Sequence, residues 1–208
     1  MTEQERMTGT VTARPPAAVI VRVWGASLVR WALLRRAEPG LRHSASTRQL
    51  VLVMAVTEVV TAFVLSSVLP PAVRPVHAGC ELLVILAGLG LVAALLRHPH
   101  TVDDEHVVLR TGFLGELTLP RAAVRSTAPA VRTVPGRGPR PVPGEPGAVA
   151  CSVEASLNAA LYLDPPVRLD LGRAGRLEVT TVYTSVDSPS DLAAALRAPV
   201  RGRSAPGT

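Results

Sequence analysis

Three groups of residues in this sequence have side chains that could do chemistry. Glu58 is the only charged residue in an apolar run of twenty residues, where a carboxyl group could hold a proton or contact another helix. Residues 98–106 include three histidines and three acidic residues, which are side-chain types that bind metal ions. Cys151 is a thiol inside a β-type pattern. Whether any of these groups is functional depends on the helices, strands and loops that bring other side chains close to it.

The last two groups lack the spacing that a reactive site needs. His98 and His100 flank a proline, and the acidic residues after them are typical of a solvated turn, so no rigid ligand set is predicted. Cys151 has no activating base in the sequence, and we interpret it as a small core residue. No phosphate loop, dinucleotide fingerprint or nucleophile elbow is present. We therefore predict a protein that is not an enzyme, with no catalytic residue, no cofactor and no metal ion.

The positive charge is concentrated at the start of the chain. All 22 basic residues are arginine, and the formal net charge is +6. Residues 1–49 hold eight arginines and three acidic residues, whereas residues 101–198 hold ten arginines and eleven acidic residues. A folded nucleic-acid reader would carry its positive charge on the folded part, with aromatic residues for base stacking. We therefore predict no nucleic-acid partner.

Two long apolar runs predict a transmembrane hairpin over residues 50–97. Residues 50–69 would span about 30 Å as a helix, which is the thickness of the hydrocarbon core of a bilayer. The Leu, Val and Phe residues of this run favour insertion by about 5 kcal/mol, against a cost of about 3 kcal/mol for Glu58. Residues 78–96 form the second run, and the short proline-containing connection predicts a tight antiparallel turn.

Glu58 falls at the middle of the first predicted span. Counting back from the connection puts Gly88 and Gly90 opposite it, and such small residues permit close approach of a helix or of a partner's side chain. One interpretation is an intramembrane contact or proton site in an oligomer. The other is a neutral carboxyl group that is hydrogen-bonded to Thr57, Thr61 or a backbone carbonyl.

The segment 17–49 before the hairpin predicts an interfacial amphipathic helix and a linker. Its apolar part, residues 17–37, is interrupted by arginines and has two tryptophans seven residues apart on one helical face. The predicted membrane-surface contacts of this segment are Trp24, Trp31, Arg35 and Arg36. Two alternatives stay open: an amphipathic helix packed on the soluble domain, and a third span, which would put the N-terminus outside.

The distribution of arginine predicts the orientation of the hairpin. Eight arginines precede the first run, Arg74 lies in the connection, and Arg97 directly follows the second run. The positive-inside rule then places both termini in the cytoplasm of a multi-pass plasma-membrane protein.

From His106 onward, the apolar residues alternate, which predicts β-strands. Apolar positions at 107–111 and 117–119 predict a hairpin, whose tip residues Phe113 and Leu114 we expect to contact the membrane surface. Short connections predict an antiparallel sheet. Further β runs occur at 124–127, 131–134, 149–153, 157–163, 167–171 and 177–186.

Composition also marks the segments between and after the strands. Residues 135–147 are rich in Pro and Gly, which predicts a mobile loop. Ser188, Pro189 and Asp191 predict the start of a C-terminal helix that ends the domain at 198. Residues 1–16 and 199–208 lack periodicity and are predicted to be disordered tails.

Several short motifs carry a resemblance to a known family. They are Glu58 in the first run, His98-Pro99-His100 with Asp103-Asp104, Leu109-Arg110-Thr111-Gly112, Leu119-Pro120 with Val124, and Val186-Asp187-Ser188-Pro189. Over residues 50–198 the chain resembles bacterial membrane-anchored proteins with a pleckstrin-homology-like (PH-like) domain. The resemblance implies an α+β membrane protein, in which a two-helix hairpin precedes a cytoplasmic PH-like antiparallel β-sandwich or barrel with a C-terminal helix at 98–198.

The same resemblance implies a function without established catalytic residues. The expected function is a membrane-anchored binding or scaffold protein, whose partners are the lipid bilayer, a membrane or cytoplasmic protein, and a second copy in a homo-oligomer. The predicted first hairpin loop lacks the basic residues that hold phosphoinositides in PH domains, so we do not expect specific headgroup binding. The alternative is an accessory subunit of a membrane transport or enzyme complex that uses Glu58 in an intramembrane contact.

Overall fold

The computed structural model describes most of the chain after residue 38. The described residues are 8–12, 21–22, 24–27, 29, 39–111 and 115–198, without the side chain of Arg173. The predicted surface contacts Trp31, Arg35, Arg36, Phe113 and Leu114 lie outside this part, as does the predicted tail 199–208.

Two long helices form the hairpin: α1 spans Ala45–Val68 and α2 spans Arg74–Arg97. Within the described part of the chain, these are the two helices long and apolar enough to cross a membrane. Both begin before the apolar runs do. Pro75 lies in the first turn of α2, where its missing N–H leaves no helical hydrogen bond unmade, so α2 starts four residues earlier than predicted.

The outward surface of the hairpin is apolar. None of the residues of α1 is buried, and Phe63 is 79% exposed. The half-buried positions of α1 recur every three or four residues, which is the spacing of one helical face. That face is built mainly from small residues and packs against α2; its members are Val51, Ala55, Glu58, Ala62 and Ser66.

Among the described residues outside the hairpin, nine strands form two sheets. The strands are β1 (Thr10–Thr12), β2 (Thr101–Val102), β3 (His106–Arg110), β4 (Glu116–Pro120), β5 (Val124–Thr133), β6 (Gly138–Pro141), β7 (Ala148–Ser152), β8 (Ser156–Asp170) and β9 (Arg176–Thr184). One sheet has the order β1-β4-β3-β2, and the other has the order β5-β8-β9-β7-β6. The sheets are separate rather than joined into a closed barrel. The chain is therefore α+β, with β3 and β4 forming the predicted hairpin.

The prediction of a wholly antiparallel sheet is wrong at one pair, because β7 runs parallel to β9. The short connection between β7 and β8 does make those two strands antiparallel. However, β9 pairs with β8 and inserts between them, so that it runs in the direction of β7. The short connections in the sequence predict the relative direction of consecutive strands, but they do not predict which strands are neighbours in the sheet.

Two strands are longer than their alternating patterns. The predicted runs 124–127 and 131–134 are largely joined in β5, and the runs 157–163 and 167–171 are joined in β8. Each joined strand contains a shift of register, between Pro129 and Arg132 in β5 and between Tyr162 and Val167 in β8. Such irregularities change the phase of the alternation and hide the continuity of a strand.

Part of the predicted disordered tail 1–16 is ordered, because it contains β1. This strand pairs antiparallel with β4, and the amide of Gly9 donates to the carbonyl of Arg168 at 3.1 Å. A Cβ on Gly9 would overlap Leu169 and the Thr118 carbonyl, so glycine permits the close approach. Residues 9–12 thereby contact both sheets.

The predicted mobile loop 135–147 is also corrected, since it contains the edge strand β6. β6 pairs antiparallel with β7, from Gly138 opposite Ser152 to Pro141 opposite Val149. The sheet edge tolerates the prolines because a strand there needs to donate on one side only. Arg140 anchors the segment through its guanidinium group, which donates to the carbonyls of Val134 and Gly138.

The main core lies between the two sheets. Its large buried side chains include Leu109, Leu117, Leu119, Leu161 and Leu169. Cys151 is fully buried among them, and burial raises the pKa of its thiol to about 12, which confirms it as a core residue.

The predicted C-terminal helix is confirmed as α3, Pro189–Arg197. The Ser188 hydroxyl caps it by accepting from the amide of Asp191 at 3.3 Å, and Leu192 is buried against the core.

Candidate functional site

The two ends of the hairpin meet at one place on the sheets. Leu41, before α1, and His100, after α2, exchange two backbone hydrogen bonds of 2.8 and 2.9 Å. The amide of Asp187, which follows β9, donates to the carbonyl of Arg42 at 2.9 Å. We call the surroundings of these contacts the junction; it comprises residues 41–48, 98–100, 154 and 184–187.

Two buried histidines stack at the centre of the junction. The rings of His43 and His100 lie 4.5 Å apart between centroids, with an angle of 13° between their planes. Each residue is only 1% exposed. One histidine comes from the entrance of the hairpin and the other from its exit, so their stack connects both ends.

The hydrogen bonds of His100 define its protonation state. Its Nδ1 accepts from the amide of Arg110 at 2.9 Å, so this nitrogen carries no proton. Its Nε2 lies 3.2 Å from the carbonyl of Ser185, to which it donates as N–H. The ring is therefore neutral. Burial lowers the pKa of His100 to about 3, with smaller contributions from His43 and Arg110.

His43 is satisfied in the same way on the other side of the stack. Its Nε2 lies 2.9 Å from the carbonyl of His98, and its Nδ1 lies 2.9 Å from the hydroxyl of Ser44. Burial is the main cause that lowers the pKa of His43, and the Arg48 charge adds to it. Both rings are thus held as neutral imidazoles.

An ion pair attaches α1 to the segment after β9. Arg48 contacts Asp187 through both of its terminal nitrogens, the closer at 2.6 Å, and also donates to the carbonyl of His43. The side chains are 13% and 24% exposed, so this pair is better shielded from solvent than a typical surface pair. The two-point geometry restricts rotation of α1 relative to the sheets.

A carboxylate from the sheet holds the first turn of α1. Glu154, in the turn between β7 and β8, accepts from the hydroxyls of Ser46, Thr47 and Ser185, with the latter two at 3.1 and 2.6 Å. The first turn of α1 has no acidic residue of its own, so Glu154 supplies the negative charge that a helix N-terminus favours. The junction therefore restrains the hairpin through packing, hydrogen bonds and charge.

A second polar cluster lies inside the hairpin. The carboxyl group of Glu58 neighbours that of Glu81 across the helix pair. Glu81 in turn has an oxygen 3.6 Å from Nδ1 of His77, one helical turn away. Within the part of the chain that the structure describes, no three His, Cys, Asp or Glu residues are arranged to hold a metal ion.

The structure places Glu81 beside Glu58, not the predicted Gly88 and Gly90. Gly88 lies at the level of Val51, about two helical turns from Glu58 along α1. The reason is the early start of α2, which shortens the connection and shifts the register of the two helices. The two glycines thus lie nearer the junction than predicted.

Trp24 packs on α2 at the level of Gly90. Its indole N–H donates to the carbonyl of Ala87 at 3.1 Å, and a Cβ on Gly90 would overlap the indole ring. Gly90 therefore has a role as the small residue that permits a close helix approach, but its neighbour is Trp24. Contact of Trp24 with the membrane surface stays a prediction.

Most of the junction is not predictable from local sequence patterns. His100 belongs to the group with metal-binding side-chain types, whereas His43, Arg48, Glu154 and Asp187 were not predicted to interact. Arg48 and Asp187 are 139 positions apart, so no local spacing relates them. The available signal was the polar segment 42–48, which places His and Arg directly before a long apolar run.

No protein-family model, curated protein or solved structure matches this chain. No relative therefore suggests a ligand for the junction or for the acidic pair in the hairpin.

Proposed function

We propose that this chain is a non-catalytic, membrane-anchored binding or scaffold protein. In this function α1 and α2 cross the plasma membrane, and the junction holds a PH-like β domain in a fixed orientation at the cytoplasmic face. The observation that carries the proposal is that both ends of an apolar hairpin are fastened to the sheets by buried contacts, with His43 stacked on His100. A flexible tether would need none of these contacts.

The surface of the hairpin supports insertion in a bilayer. The core helix of a soluble protein would be mostly buried, whereas no residue of α1 is buried. At 1.5 Å per residue, the 24 residues of each helix extend about 36 Å, enough to cross the hydrocarbon core. The excess of arginine before α1 supports cytoplasmic termini by the positive-inside rule.

The pairing of β1 with β4 supports the predicted interfacial placement of residues 17–37. If α1 and α2 both cross the membrane, a third span before α1 would separate β1 from β4. These strands are paired over three residues, from Thr10 opposite Thr118 to Thr12 opposite Glu116. Because paired strands lie on the same side of a membrane, the chain must cross the membrane an even number of times between β1 and β4. This favours an interfacial helix over a third span.

The arrangement of the β domain supports a PH-like assignment in part. Two packed sheets followed by a terminal helix agree with that fold, while the parallel β7–β9 pair and the added strand β1 are departures from it. An open edge is available to a protein partner, because β5 is an outermost strand and exposes Val131 almost completely, at 99%. Exposed strand edges bind extended peptide segments by adding a strand.

We use the term fixed display for a β domain that the junction holds in one orientation relative to the hairpin. Fixed display predicts a narrow distribution of distances between a spin label on the hairpin and one on the β domain. Spin labels are introduced by Gln49→Cys on α1 and Ala194→Cys on α3, in a Cys80→Ser background; Cys151 stays because it is fully buried. In lipid nanodiscs at neutral pH, pulsed dipolar spectroscopy should give a width similar to that of a reference pair inside the β domain, Thr180→Cys with Ala194→Cys. A much wider distribution for the 49–194 pair would contradict fixed display.

The acidic pair in the hairpin favours a second candidate function, an accessory subunit of a membrane transport or enzyme complex. Glu58 on α1 and Glu81 on α2 place two carboxyl groups side by side within the apolar hairpin, where polar side chains are costly and usually contact a partner group. His77 lies against Glu81, with its Nδ1 3.6 Å from a carboxyl oxygen. In this function Glu58 would make an intramembrane contact with another subunit.

The variant Glu58→Gln separates the two functions. Under display by the junction, we expect the variant to keep the narrow 49–194 distribution and any partner bound by the β domain. Under the second function, the variant should abolish assembly or activity of the complex, measured by cross-linking in intact membranes. Ser67→Ala is the control, because Ser67 is an exposed residue of the same helix whose hydroxyl donates to the carbonyl of Val64. Loss of assembly for Glu58→Gln alone would favour the accessory subunit.

A further inference from the structure

We propose that the junction is an acid-sensitive coupling, in which proton uptake by His43 and His100 releases the hairpin from the β domain while the two sheets stay folded. The inference rests on the proposed function, because it regulates the fixed display that the junction provides. It follows from the position of the two rings, the partners of their nitrogens and the charges around them.

The hydrogen bonds of His100 leave no place for a second proton. A proton added at Nδ1 would point at the amide of Arg110, which already donates to that nitrogen at 2.9 Å. Two donors would then face each other in a fully buried space, and neither could reach water. Protonation of His100 therefore requires either loss of the Arg110 contact or movement of the ring out of the junction.

His43 responds differently to a proton. The hydroxyl of Ser44 can turn to accept from a protonated Nδ1, so the hydrogen bond itself survives. The added charge would lie against the stacked ring of His100, 4.5 Å away. Two imidazolium rings in this stack would repel each other, so uptake by both rings opens the stack.

The charged groups around the stack do not remove this conflict. From α1, Arg48 donates to the carbonyl of His43 and is a further positive charge. From β3, the Arg110 charge also opposes protonation of His100. The negative charges are Asp187, after β9, and Glu154, in the β7–β8 turn; Asp187 is paired with Arg48 and Glu154 accepts from three hydroxyls.

The direction of the pH effect follows from the neutral rings. The pKa of both histidines is lowered in the closed junction, so the open form binds more protons. The stability of the closed junction is complete above about pH 6.5, the pKa of an unperturbed histidine, and is lost as the pH falls below it. One pH unit lower, His100 raises the opening constant by about tenfold, because its pKa in the closed junction is about 3, and His43 acts in the same direction.

The sheets have no comparable sensitivity over this pH range. The core between them is apolar, and His106, the histidine of β3, has a side chain that is 49% exposed to solvent. Acid should act at the junction before it acts on the sheets.

The experiment follows the 49–194 distance distribution of the full chain between about pH 7.5 and about pH 5, in nanodiscs of zwitterionic lipid. We expect this distribution to broaden as the pH falls, while that of the 180–194 pair stays narrow. His100→Asn should reduce the change in the opening constant by about tenfold at about pH 5.5, because asparagine can accept from the Arg110 amide and takes up no proton. His106→Asn is the matched control and should behave like the wild type.

His43→Gln provides a second variant if His100→Asn does not fold, since glutamine can still donate to the carbonyl of His98. Narrow 49–194 distributions at every pH would overturn the acid-sensitive coupling and leave fixed display standing. Broad distributions at neutral pH would instead contradict fixed display itself. Broadening of both label pairs together, or equal pH dependence in the histidine variants and the wild type, would overturn release at the junction.

Discussion

Arg140→Met should release residues 134–147 from the sheet at a cost of about 3 kcal/mol in local stability. The guanidinium group of Arg140 donates to the carbonyls of Val134, Pro135 and Gly138 at 2.7 to 3.0 Å. It also reaches the hydroxyl of Ser152 at 3.1 Å. Hydrogen bonds to a charged group each stabilise by about 1.5–3 kcal/mol, and water replaces part of that when the segment opens.

Release of this segment would also uncover a small second core on the outer face of the five-stranded sheet. That core consists of Val134, Ala148, Ala150, Leu157, Ala160 and Tyr183. Glu145 helps to hold residues 134–147 against this core, because its carboxylate accepts from the Tyr183 hydroxyl at 2.7 Å. By holding this segment on the sheet, Arg140 also keeps the apolar side chains of the second core buried, so its effect on stability is larger than that of its own hydrogen bonds.

Hydrogen exchange measures the effect on the amides of β6 and β7. Arg140→Met should lower their protection by about two orders of magnitude, since about 1.4 kcal/mol corresponds to a factor of ten. Arg137→Met is the matched control, because Arg137 is an exposed arginine of the same segment. Equal protection in the two variants would mean that Arg140 does not anchor this segment.

The same segment illustrates why composition did not predict the strand β6. Prolines and glycines at 135–147 interrupt regular structure locally, and nothing nearby shows that β7 offers an edge to pair with. The Arg140 guanidinium group donates to the backbone carbonyls of Val134, before this segment, and of Glu154, fourteen residues after Arg140. An arginine inside a Pro/Gly-rich segment was visible in the sequence, but its acceptors depend on the tertiary fold.

The short strand β1 was missed for a related reason. Three residues are too few to show an alternating pattern, and β1 exists because β4 presents an edge to it. Gly9 contributes by permitting close contact with Leu169. In contrast, β3, β4 and α3 could be predicted because their signals are local: alternation around a turn, and the cap that Ser188 provides.

The helices were predictable as long apolar runs, but their register was not. Placing Glu58 opposite Gly88 and Gly90 assumed a connection that ends at residue 77. The helix instead continues back through Pro75 to Arg74, which brings Glu81 to Glu58. The junction was hidden for a different reason, since its ion pair joins positions that are distant in the chain and its histidines lie in segments with no regular pattern.

The most direct test of the membrane-anchored arrangement is the sidedness of three variants that each have one exposed cysteine. Ala72→Cys lies in the hairpin connection, Thr12→Cys in β1 and Ala194→Cys in α3, and all three are exposed positions. Each is made in a Cys80→Ser background, where the native Cys151 stays buried in the core. A thiol reagent that cannot cross membranes is applied to intact cells and again after the membrane is opened.

We expect the thiol at position 72 to be labelled in intact cells, and those at positions 12 and 194 only after the membrane is opened. This result would place the connection outside, with β1 and α3 together inside. Labelling of all three positions only after opening, or labelling of positions 12 and 194 from opposite sides, would contradict a two-helix anchor that holds the β domain at the cytoplasmic face.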